Sequence, residues 1–174
     1  MKKCLFWLFL ISFISNLLFS VNISNIDIFS KDEHLYISFS IEEDFPQQVI
    51  ESINSGLETT FTFKIRLIKT KKLWFDKKIV DKVLISHVTY DPITKQYKLT
   101  KKINGSQIAS LETDSTEEMD TWIREFEEIK ICPSEILSQG TKYLVEIEGI
   151  LFSRYLLKII PNRYKIHSKK NFSL

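Results

Sequence analysis

Cysteine is almost missing from this chain: its 174 residues contain only Cys4 and Cys132. Cys4 precedes an apolar run, so it cannot be the lipid-accepting cysteine that follows a signal's apolar core. If that leader is removed, Cys132 stands alone and no intramolecular disulfide can form. Beside Pro133 it reads as a small core residue rather than a nucleophile. Glycine is scarce too, at four residues, and no phosphate-cradling glycine loop occurs. Histidine is limited to His34, His87 and His167, in three separate segments at no metal-ligand spacing. Neither GxSxG nor HExxH is present, so no cofactor, metal or catalytic residue is expected. A net charge is also wanting. Removing Lys2 and Lys3 from the 24 basic residues leaves 22 against 22 acidic ones, which gives no global field to draw the domain to nucleic acid.

Aromatic residues are plentiful. Thirteen phenylalanines must be buried somewhere to offset chain entropy, which argues for a real core and against disorder. The length suits one domain. The first residues, MKKCLFWLFLISFISNLLFS, combine two lysines with an apolar run and end on the small Ser20. They read as a secretory signal over residues 1–20; an uncleaved membrane anchor is the alternative, although Cys4 to Phe19 is short for the ~20 residues a membrane helix needs. Either reading expects one exported domain over residues 21–174, in the periplasm or on the outer face of the cytoplasmic membrane.

From Asn22 the pattern has period two. Ile26 and Ile28 alternate with Asp27, SKDEH turns the chain, and Leu35, Ile37, Phe39 and Ile41 share a face. DFPQQVIESINSG then predicts a short helix, with Pro46 in its first turn and Gly56 at its left-handed end. Phe61, Phe63, Ile65 and Leu67 point one way from the next strand, opposite Thr60, Thr62, Lys64 and Arg66. Ile79 to Tyr90 predicts a central or bulged strand. DPITKQ marks a turn, and INGS carries the Asn-Gly pair of a tight hairpin. Ser115 and Glu118 can form a capping box, and Met119, Trp122, Ile123, Phe126 and Ile129 recur at helical spacing, which predicts an amphipathic helix from about Ser115 to Glu128. After a helical turn near Gly140, Tyr143, Val145 and Ile147 mark another strand. The tail from Ser153 has six basic residues and no acid, with apolar Tyr155, Leu156, Leu157, Ile159 and Ile160; it is expected to pack back on the sheet, with a membrane surface as the alternative.

The predicted fold is α+β: a curved, mostly antiparallel sheet of about seven strands, partly closed and sandwich- or barrel-like. One amphipathic helix packs on it, and a short helix lies between strands 2 and 3. Two charged stretches compete as sites. Eight acids against Arg124 between Glu112 and Glu128 suit a solvated helix face better than a paired-carboxylate hydrolase. Between Lys64 and Lys82, eight basic residues face only Asp76 and Asp81 around Leu73, Trp74 and Phe75. The candidate partner-binding residues are Lys71, Lys72, Trp74, Phe75, Lys77 and Lys78; the competing reading is a charged edge that discourages aggregation. Anionic lipid headgroups or an acidic protein surface are the available partners of such a tip, and nucleic acid is not.

The run IESINSGLETTFTFKIRLIKTKKLWFDKKI, then VTYDPITKQYKLT and ILSQGTKYLVEIEGIL, resembles the bacterial family known as domain of unknown function 4390. Its pattern falls on Ser55, Gly56, Thr60, Phe61, Trp74, Phe75, Asp76, Tyr90, Asp91, Gly140 and Tyr143. The tail departs from the family's proline- and aromatic-rich ending. The resemblance implies an uncharacterised exported protein with no catalytic residues to carry over, and a membrane protein such as a sensor histidine kinase as a partner. The expected function is a non-enzymatic accessory module binding protein or lipid; a sheet that takes a small apolar ligand, then a hydrolase, are the alternatives.

Overall fold

The computed structural model describes residues 23–42, 45, 47–71, 75–153 and 163–173. The leader, Pro46, Lys72, Trp74 and the tail residues Tyr155, Leu156, Leu157, Ile159 and Ile160 lie outside the described residues. No helix among the described residues is long and apolar enough to cross a membrane.

The first hairpin joins β1 (Ile23–Lys31) to β2 (His34–Ile41), and Leu35, Ile37, Phe39 and Ile41 are buried as their parity predicts. Helix α1 (Gln47–Asn54) follows and buries Val49 and Ile53. Gly56, at φ +80, ends it: its N–H and that of Leu57 reach back to the carbonyls of Ile53 and Ser52 at 2.9 and 3.1 Å, which satisfies two otherwise orphaned carbonyls. Strand β3 (Thr59–Lys69) buries Phe61, Phe63, Ile65 and Leu67 in strict alternation. It pairs with β4 (Lys77–Asp91), where the expected bulge falls between Lys78 and Val80.

Strand β5 (Gln96–Ile103) turns through Asn104 and Gly105, at φ +48 and +85, into β6 (Ser106–Thr113). Both central residues are left-handed, as a two-residue hairpin of this twist demands. Ser115 then caps α2 (Thr116–Arg124), its side chain accepting from the Glu118 N–H at 3.2 Å. Here the structure corrects the predicted helix. It ends at Arg124, and Glu125–Pro133 forms strand β7. Phe126 and Ile129 are three apart because a bulge with Glu128 at φ +47 inserts one residue between two inward-facing positions. That spacing copies a helix. A 3-10 turn, Ser134–Ile136, leads to β8 (Lys142–Ser153), and β9 (Arg163–Ser173) pairs antiparallel with it.

The sheet order also departs from the single, partly closed sheet of about seven strands. Among the described residues, nine strands form two antiparallel sheets, β1-β2-β7 and β6-β5-β4-β3-β8-β9. Neither closes into a barrel, since each retains two edges. Phe39 of β2, Phe63 of β3 and Phe126 of β7 meet between the sheets at ring distances of 4.6 to 5.3 Å. Lysines stitch the seams: Lys82 and Lys101 donate to the β7 carbonyls of Lys130 and Glu125 at 2.8 and 2.7 Å, and Lys170 donates to the Ile26 carbonyl on β1.

Candidate functional site

The β3–β4 hairpin carries the basic run. Its register sets Lys69 directly opposite Lys77 and Ile68 opposite Lys78. Like charges facing across a ladder destabilise it, so this pair is not there for the hairpin's sake. The turn is closed by Asp76, whose Oδ1 accepts the Lys71 N–H at 3.1 Å, and its base is tied to β8 by the Thr70 N–H on the Lys142 carbonyl at 3.0 Å. Phe75 is 95% exposed, and Lys71, Lys77 and Lys78 are exposed around it. Lys78 pairs with Asp81. Lys71 and Lys77 form no ion pair among the described residues.

Two members of the basic run have structural duties. Arg66 pairs with Glu148 at 2.8 Å and Glu146 at 3.2 Å on the neighbouring strand. Lys82 caps β7, and burial lowers its pKa.

A second feature gathers most of the acidic run, although its shape was not legible in the sequence. Between the β5–β6 hairpin, α2 and β7 lies a groove of about 870 Å³, with Ile103, Leu111, Trp122 and Ile129 among its apolar residues and Glu117, Glu118, Glu125, Glu127 and Glu128 among its acids. Lys101 lines it from the inward-facing row of β5, opposite Ser86. Its ammonium lies 4.5 Å from the Trp122 ring centre and 4.7 Å from that of Phe126. The residue is 9% exposed, and burial lowers its pKa to about 8 against the opposing pull of Glu127 and Glu125. The indole N–H of Trp122 is enclosed, with no acceptor among the described residues. Parity could have found Lys101: Tyr97, Leu99, Lys101 and Ile103 occupy one row, and the third is charged. How the consecutive elements between residues 101 and 130 fold against one another to make the groove left no such trace.

The other chemical candidates stay apart. His34 contacts the Asp32 carbonyl at 2.7 Å, His87 lies 3.2 Å from Glu58, and His167 lies 3.0 Å from Glu146. Among the described residues no three ligating side chains gather. The acidic run is spread over Glu112 on β6, Asp114 ahead of the helix, Glu117, Glu118 and Asp120 on α2, and Glu125, Glu127 and Glu128 on β7, and Asp120 pairs with Arg124 at 2.7 Å. Cys132 is buried, and burial pushes its thiol pKa up. Behind the phenylalanines the rings pack on one another, and the groove opens beside them.

The sequence model of a family described as a domain of unknown function, DUF4390, matches residues 20–156. The chain belongs to the DUF4390 family. No curated protein and no solved structure matches it. In this DUF4390 chain, the positions that carry the family resemblance mostly serve the fold. Gly56 ends α1, and a Cβ there would come within 3.1 Å of the Tyr90 carbonyl. Asp91 accepts the N–H groups of Ile93 and Thr94 and so caps a turn. Gly140 is left-handed, Phe61 and Tyr143 are core, and the Tyr143 hydroxyl accepts the Ser138 N–H at 2.8 Å. Phe75 alone among the described ones has no such duty. Strand β9 lies beyond the matched residues.

Proposed function

We infer that this chain is a non-enzymatic, exported binding module that touches an anionic membrane surface through the β3–β4 tip. The observation that carries the reading is Phe75, 95% exposed among Lys71, Lys77 and Lys78. A stable protein interface needs about 800 Å² from each partner, far more than one ring on a narrow turn offers. Seating in a headgroup layer needs only an apolar projection with cations at phosphate level. Each lysine near an anionic surface contributes about 1 kcal/mol, so the tip alone gives reversible contact that falls as salt rises. The leader expected over residues 1–20 would bring the domain to the same surface.

Reversal of Lys71, Lys72, Lys77 and Lys78 to Glu tests this. Flotation with phosphatidylglycerol vesicles at low salt should recover the wild-type chain and lose the variant, while the melting temperature moves little. A variant that floats like wild type would reduce the tip to a solvated edge.

A further inference from the structure

Edges separate β6 from every other border strand. Among the described residues the two sheets have β1, β7, β9 and β6 at their edges, and an unprotected edge is a template for another strand. Three of the four are blunted. In β1, a bulge with Asn25 at φ +48 breaks the ladder and Lys170 occupies the Ile26 carbonyl. In β7, Glu128 adds a second bulge while Lys101 and Lys82 occupy two carbonyls. Strand β9 carries the exposed Lys169 and Lys170.

Strand β6, SQIASLET, has no lysine, arginine or proline. Among the described residues no side chain hydrogen-bonds its backbone. Its one irregularity makes Ile108 the extra residue opposite Lys101 and Lys102, and leaves that isoleucine 48% exposed. From Ala109 to Thr113 its pairing with β5 is regular.

The β6 edge, free of basic residues and regular from Ala109 to Thr113, borders the groove, to which β6 contributes Ile108, Ala109 and Leu111. Glu117 and Glu118 of α2 and Glu125 and Glu127 of β7 share that groove, and none of these four forms an ion pair among the described residues. Trp122, also in the lining, has an indole N–H with no acceptor among the described residues. We propose that the β6 edge and this groove receive an extended basic segment of a partner protein as an added strand. Main-chain hydrogen bonds to β6 supply the pairing, and alternate side chains enter the groove. Lysine or arginine suits those alternate positions because an aliphatic stem can cover Trp122 and Ile129 while the charged head reaches the carboxylates. Charge complementarity selects such a segment over an acidic one.

The test is fluorescence anisotropy of the full chain with a labelled, capped peptide of alternating lysine and valine. The peptide should bind. Methylating its alternate backbone nitrogens, which keeps the charge but removes donors, should weaken binding about tenfold or more, as should Glu117→Lys with Glu118→Lys, while the four-lysine tip variant should bind as wild type does. Equal binding by the methylated peptide, by the α2 variant or by a glutamate counterpart would overturn the proposal. So would absence of binding, or sedimentation showing that the groove is taken by a second copy of this chain.

Discussion

Lys101 keeps an ammonium among rings because its Nζ has the Glu125 carbonyl at 2.7 Å and the acids of β7 close by. Burial still dominates. Its folded pKa of about 8 lies below the unfolded value of 10.5, so between those values the unfolded chain holds the extra proton. Stability at this residue therefore rises with pH from about 8 to 10.5, and below 8 the fold bears a cost of about 3 kcal/mol. In urea titrations, the wild-type chain should gain about 2 kcal/mol on Lys101→Met between pH 7 and pH 10. Parallel behaviour of the two proteins would place that ammonium in water. Residue parity was legible elsewhere: Phe61, Phe63, Ile65 and Leu67 are all buried, and Thr60, Thr62, Lys64 and Arg66 face away. A lysine in an apolar row is read as an interruption until rings and a free carbonyl are seen to receive it.

Among the elements, hairpins were legible because their turns require particular residues, as Asn104 and Gly105 show. Strand β7 was not, since its bulge gives inward residues the three-residue spacing of a helix, directly after a real one. Strand β9 was read only as a basic tail expected to pack back. Besides the backbone ladder, side chains on both faces hold it to β8. On one face Glu146 gathers His167 and Lys169 at 3.0 Å each, and the His167 hydrogen bond, then that of Lys169, hold its carboxyl below the usual carboxylate range. On the other, Gly149 lies opposite the buried Ile166, and a Cβ at Gly149 would collide with the isoleucine side chain and come within 3.1 Å of Phe63. Gly149→Val should therefore displace Ile166 and cost about 1 to 3 kcal/mol. Hydrogen exchange should quicken in β9 while β4 and β5 stay protected; unchanged β9 protection would show that the strand adapts without loss.

Over the whole molecule, two sheets share one core, and lysine-to-carbonyl bonds close the seams between their borders. The composition made the core foreseeable, but the division into two sheets depended on β7, whose pattern hid it. The charge division was half legible. The tip lies on one hairpin, whereas the acidic groove needs four consecutive elements, β5, β6, α2 and β7, to fold against one another. Residues 21–174 carry no net charge, so the docking proposed above would rest on local arrangement, above all on Phe75 at the tip. The most direct measurement is partition of the wild-type chain, Phe75→Ser and Phe75→Trp onto phosphatidylglycerol vesicles at fixed salt. A ring that enters the headgroup layer predicts that serine lowers the partition coefficient about tenfold or more while tryptophan maintains it. Equal partition of all three would contradict membrane docking through the tip.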